Sequence, residues 1–188
     1  MAKSRIPDLF VGSSLPEGDV AKRLKEEISS KIQGIEKVYV PFYEFPYLVT
    51  FEDSRKPDEG TYWCDPILSS CRLLPKDFNE ERLVDRRGGT LLPSEVTVDE
   101  ARKKVREVIL SRLPNAINRG LGYNLTLEFS GRYYVPFWVA YFQASRPGTF
   151  DFIVFDSQRG QVDKIAKEIV DRGFLILDER KDKLPPWF

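Results

Sequence analysis

Arg132-Tyr133-Tyr134-Val135-Pro136-Phe137-Trp138 repeats, in order and in kind, the earlier stretch Lys37-Val38-Tyr39-Val40-Pro41-Phe42-Tyr43. Each is a base, a run of aromatic and β-branched residues, and a proline set between valine and phenylalanine, the composition of a strand. Strand alternation places Tyr133, Val135, Phe137, Val139 and Tyr141 on one side of the second copy and Tyr134, Pro136, Trp138, Ala140 and Phe142 on the other. Both sides are apolar, so both must be covered. One cover is expected from the strand's own helices, and the other from a second repeat, a partner or a ligand. The proline lacks a ladder donor and marks an edge or a bulge, which would re-aim the neighbouring rings.

Two further blocks recur in the same order. Ser54-Arg55-Lys56-Pro57-Asp58-Glu59-Gly60-Thr61-Tyr62 matches Ser145-Arg146-Pro147-Gly148-Thr149-Phe150 once three turn residues are dropped, and Leu83-Val84-Asp85-Arg86-Arg87-Gly88-Gly89-Thr90-Leu91-Leu92 matches Ile169-Val170-Asp171-Arg172-Gly173-Phe174-Leu175-Ile176. The order predicts a duplication. The expected organisation is an N-terminal segment (1–15), repeat 1 (16–93), repeat 2 (94–180) and a C-terminal tail (181–188).

Each repeat reads as helix, antiparallel strands, helix and short strand. In the first, Val20, Leu24, Ile28 and Ile32 recur at fourfold spacing, predicting a helix over 19–33 that Gly34 ends. In the second, Thr97-Val98-Asp99-Glu100 is a capping box, followed by the apolar stripe Val98, Ala101, Val105, Val108 and Ile109, with Pro114 ending the helix. Residues 121–129, 132–144 and 149–156 then read as an antiparallel meander, broken at Ser130-Gly131 and at Arg146-Pro147-Gly148. Asp77 with Glu80, and Asp163, cap the second helices. Asp85-Arg86 and Asp171-Arg172, each just before glycine, read as helix C-termini, with a last short strand over 174–177. The expected fold class is therefore α+β: two tandem repeats, each an antiparallel sheet with helices on one face, packed with pseudo-twofold symmetry.

Composition narrows the chemistry. The 188 residues contain 29 Lys plus Arg, 29 Asp plus Glu and no histidine. That removes the commonest general base, the commonest zinc ligand and the usual sensor of neutral pH. Residues 1–95 hold 14 basic and 17 acidic side chains and residues 96–188 hold 15 and 12, so the halves carry −3 and +3. Zero net charge argues against a dominant electrostatic grip on nucleic acid or anionic lipid. The longest uncharged apolar run, 133–145, is 13 residues, short of a membrane span. The first fourteen residues have no continuous apolar core of a leader, so a cytoplasmic protein is expected. Only four Asn and four Gln among many charges give a composition tilted toward thermophiles.

From 149 to 162, the run ending Phe155-Asp156-Ser157-Gln158-Arg159-Gly160-Gln161-Val162 resembles the strand, Asp, small-residue turn and Gly that close a PepSY-like helix-and-hairpin module. The resemblance covers 98–162. PepSY-like domains are mostly extracytoplasmic and are associated with restraining peptidases. Here Ser157-Gln158-Arg159-Gly160 stands where Thr-Gly is usual, and that function is not carried over to this chain.

No catalytic residue, metal site or cofactor is expected: the serine pairs Ser13-Ser14 and Ser69-Ser70 have no histidine base and no nucleophile elbow around them. Cys64 and Cys71, with six residues between them across an Asp-Pro turn, allow either a disulfide or two free thiols. The candidate binding surface is an aromatic groove of Tyr39, Phe42, Tyr43, Arg132, Tyr134, Phe137 and Trp138. The expected function is binding or assembly without catalysis, through a protein partner or self-association and with no membrane. The alternatives are a small-molecule pocket between the repeats and single-stranded nucleic-acid binding, the latter suggested by cations and aromatics on one sheet.

Overall fold

A computed structural model describes residues 8–13, 15, 17–27, 31–52, 56–74, 83–84, 88–113, 122–144 and 149–181. In chain order these form β1 (Asp8–Val11), α1 (Glu17–Glu27), β2 (Ile32–Phe51), β3 (Asp58–Cys64), β4 (Cys71–Leu73), β5 (Leu83–Val84), β6 (Thr90–Leu91), α2 (Val98–Ser111), β7 (Tyr123–Leu127), β8 (Gly131–Gln143), β9 (Phe150–Asp156), β10 (Gln161–Val162) and α3 (Lys164–Lys181). The readings of a helix at Asp77, the Asp85-Arg86 helix end, Pro114, the Arg146-Pro147-Gly148 turn and the Ser54-Arg55 block lie outside the described residues.

Two tandem repeats, each with its own sheet, do not form. The strands join in the order β10-β9-β8-β2-β3-β4, with β7 and β6 also on β2 and β1 on both β5 and β8. The decisive strand is β7. It pairs antiparallel with β2, Tyr47 opposite Leu127 and Phe51 opposite Tyr123, rather than with β8 as a meander requires. The chain accordingly divides into two compact units that each draw on separate stretches: Met1–Leu9, Phe42–Glu81 and Ser94–Tyr133 in one, and Phe10–Pro41, Arg82–Pro93 and Tyr134–Phe188 in the other.

The first unit is built on the second half of β2. Tyr43, Phe45, Tyr47 and Val49 project to one face, where Tyr62 and Cys64 of β3 and Ala101, Val105 and Ile109 of α2 close over them. The α2 stripe is the one the sequence predicts, and so is its start: Thr97 is the N-cap, its side chain accepting from Glu100 N while the Glu100 side chain accepts from Thr97 N at 2.8 Å.

In the second unit, antiparallel pairing sets Trp138 opposite Phe155, Ala140 opposite Ile153 and Tyr141 opposite Phe152. Trp138, Ala140 and Phe155 meet Val20 and Leu24 of α1. On the alternate face Phe152 meets Phe174 of α3 edge-on, with ring centroids 6.4 Å apart. Helices therefore cover both faces of this unit's strands, not one. No helix is long and apolar enough to cross a membrane.

Two helix boundaries differ from the sequence reading. α1 ends at Glu27 and the extended chain of β2 already runs from Ile32, so Ile32 and Ile35 reach the α1 core from a strand, and Gly34 is a strand residue rather than a cap. α3 begins where Asp163 accepts from Ala166 N at 2.9 Å, but it continues through Asp171-Arg172-Gly173 and absorbs the expected strand over 174–177. Gly173 is there for proximity. A Cβ on it would stand 2.6 Å from Leu92 Cδ1, and Leu92 is itself fully packed.

Replacing Gly173 by Val is therefore expected to cost about 1–3 kcal/mol through overpacking against Leu92. Chemical denaturation measures it, and an unchanged midpoint would show that Leu92 can move aside.

Candidate functional site

The aromatic residues singled out by the sequence fall in two sets. Tyr39, Tyr134, Phe137 and Trp138 belong to one unit, and Phe42, Tyr43 and Arg132 to the other. All six rings are between 1% and 7% exposed. They are interior side chains, packed on one another and on neighbouring strands, and present no ring face to solvent on which a base could stack.

In the first unit Phe42 stacks on Trp63 with centroids 5.3 Å apart, Trp63 stacks on Tyr133 at 5.7 Å, and the Arg72 guanidinium lies 4.6 Å from the centre of Phe42. Beside them is a buried acid, Glu44. It accepts from Trp63 Nε1 at 3.0 Å and from Ser130 Oγ at 2.6 Å, so its carboxylate is held by two neutral donors. Tyr43 O–H donates to the Val96 carbonyl at 3.1 Å, and the Arg132 guanidinium lies 5.5 Å from the Tyr43 ring centre while pairing with Asp8 at 3.5 Å. Arg132 is the one member of the predicted set with appreciable exposure, 35%.

In the second unit Phe10 stacks on Tyr134 and meets Tyr39 edge-on. Lys37 Nζ lies 5.1 Å from the centre of the Trp138 ring, a cation held against the electron-rich face. Trp138 Nε1 is buried and, among the described residues, donates to no acceptor. At the turn after β9, Asp156 accepts from Gln158 N and Arg159 N, and Gly160 takes a left-handed φ of 70° that closes it.

Cys64 is buried, Cys71 is partly exposed, and both are free thiols. They are register partners on β3 and β4.

The most exposed ring among the described residues is not one that the sequence singles out. Phe150 opens β9 at 68% exposed, two residues before the half-buried Phe152 and on the same face. Phe152 packs against Tyr141 across the strand pair and against Phe174 of α3. Lys167 Nζ lies 5.0 Å from the Phe152 ring centre and 2.7 Å from Asp151 Oδ1. That ammonium, with the backbone donor of Phe152, holds the Asp151 carboxyl below its usual range. Tyr141 O–H donates to Glu36, and burial followed by that carboxylate pushes the phenol well above its ordinary value. The arrangement is a ring cluster bordered by fixed charges. The signal was present in Thr149-Phe150-Asp151-Phe152, whose alternation puts two phenylalanines on one side. Only the exposure of Phe150 in the folded chain shows that side to be incompletely covered.

No protein-family model matches this chain, and neither does any curated protein or solved structure.

Replacing Trp138 by Ala is expected to destabilise the fold by about 3–5 kcal/mol. Trp138→Phe, which fills most of the volume and removes the unpartnered N–H, should lose clearly less in the same denaturation experiment.

Proposed function

We propose that this is a non-enzymatic binding or assembly protein, and that it engages a protein partner, a second copy of the chain included, through the open aromatic end of β9 rather than through the buried rings of β2 and β8. The observation that carries this reading is Phe150, a large apolar side chain 68% exposed beside the part-covered Phe152, Tyr141 and Phe174. A single exposed apolar residue is ordinary on a protein surface. An exposed ring on the strand face of a three-ring cluster, bordered by the Lys167–Asp151 pair, has the make-up of an interface anchor inside a polar rim.

The buried acids support a binding role as well, because each is committed to structure. Glu44 is held by Trp63 and Ser130, Asp65 by the backbone of its own turn, and Asp156 by the turn before β10. The proposal keeps the cytoplasmic setting, in which reduced thiols, as Cys64 and Cys71 are here, are the resting state.

Phe150→Ala should leave stability within about 0.5 kcal/mol, as a surface change, while abolishing self-association in sedimentation or the capture of a cross-linkable partner through this face. An unaltered association state and partner set in Phe150→Ala and Phe150→Glu would remove the proposal. Arg132→Ala, a change in the other unit, is expected to leave association unchanged.

A further inference from the structure

β3 and β4 form a hairpin closed by 65–70, and their ladder fixes the cysteines in a particular way. Leu74 N donates to Thr61 O at 2.7 Å and Asp65 N to Ser70 O at 2.9 Å. These bonds fall on alternate residue pairs, so Cys64 and Cys71, register partners between them, occupy a non-hydrogen-bonded position of the antiparallel ladder. At such a position the Cα atoms approach to about 4.5 Å, within the range a disulfide spans without backbone movement. The sulfurs are already 3.2 Å apart, with Cys71 Sγ donating to Cys64 Sγ in the neutral pair.

The turn between them is preformed. Asp65 is fully buried, and its carboxylate accepts from Ile67 N at 3.0 Å, Leu68 N at 2.7 Å, Ser70 N at 3.0 Å and also from Ser70 Oγ. Ser69 takes a left-handed φ of 58°, completing the reversal. Pro66 O in the same turn accepts from both Glu95 N and Val96 N at 3.0 Å, so the loop also holds the chain that enters α2.

We propose that Cys64 and Cys71 are a reversible redox latch, closed to an intramolecular disulfide by exchange with a low-molecular-weight disulfide and reopened by thiol reductants. The two thiols divide the work. Cys64 is buried and pushed up by its bond to Cys71 and by desolvation, so it keeps its proton; Cys71, part exposed and stabilised as a thiolate by that S–H, is held below the usual thiol range. The Cys71 thiolate attacks one sulfur of the external disulfide, forming a mixed disulfide and expelling one thiolate. That thiolate takes the Cys64 proton. Cys64 sulfur then attacks Cys71 Sγ, displacing the second external thiolate, which is protonated by the solvent proton that Cys71 released on ionising. Two cysteine thiols are oxidised and one external disulfide is reduced to two thiols. The sulfurs close from 3.2 Å to a bond of about 2.05 Å, and the β3–β4 pair next to the turn becomes covalent.

The experiment incubates the native protein with excess glutathione disulfide and follows free thiols and intact mass. The expected result is a fall from two thiols to none, a loss of two hydrogens in mass, no covalent dimer, and full recovery with dithiothreitol. Two thiols persisting, an intermolecular dimer, or stable adducts on both cysteines would overturn the latch. In Cys64→Ser a single mixed disulfide should accumulate on Cys71, about tenfold faster than any adduct forms in Cys71→Ser. Should Cys64→Ser not fold, brief native-state alkylation of the unmodified protein decides the same point: Cys71 labelled first supports the assignment, and Cys64 labelled first overturns it.

Discussion

Everything in this structure follows from strands that are apolar on both faces. β8 has no polar side to turn to water between Tyr133 and Ala140, and each of those side chains is buried. A helix on one face would leave the other exposed, with Trp138 or Phe137 paying the full transfer cost of a large ring in water, roughly 1.5–3 kcal/mol for each buried apolar side chain. In the second unit the answer is a helix on each side: α1 brings Val20 and Leu24 to Trp138 and Phe155, and α3 brings Phe174 to Phe152. In the first unit α2 closes over Tyr43, Phe45, Tyr47 and Val49.

The second requirement is that polar atoms carried into these interiors find partners. Glu44 is met by an indole N–H and a serine hydroxyl, Tyr43 by the Val96 carbonyl, and Ser157 Oγ donates to the Pro136 carbonyl, inside a strand where proline leaves the ladder one donor short. Asp65 satisfies a whole turn by itself. These bonds are spread along the strands and turns, and they explain why buried acids in this protein are structural. The two proposals therefore rest on other groups: the aromatic tip of β9 and the hairpin that carries the two cysteines.

Several features were legible in the sequence because they depend on neighbours in the chain. The Thr97–Glu100 box, the α2 stripe, the Asp163 cap, the strand character of β8 and β9 and the two-faced burial of Tyr133 to Ala140 are all local or periodic. The fourfold spacing of Ile28 and Ile32 fits a helix face, yet Ile32 and Ile35 meet the same core from an extended chain. α3 was cut short at Gly173 because glycine near a basic residue reads as a helix end. Its true cause, the approach of Leu92, lies some eighty residues away in the chain.

The sequence by itself determined the start and stripe of α2, the start of α3, the strand character of β8 and β9, that the rings of β8 must be buried on both faces, and that two cysteines flank a tight turn. The tertiary structure alone decided that β7 joins β2, that helices cover both faces of β8 and β9, that the chain divides into interleaved units, and that Phe150 stays in water. The reason is the range of the forces. Periodicity and capping act over one or two turns of chain, whereas strand pairing and helix cover are choices among distant partners of similar hydrophobicity, settled by which arrangement leaves the least apolar surface and the fewest unpaired polar atoms.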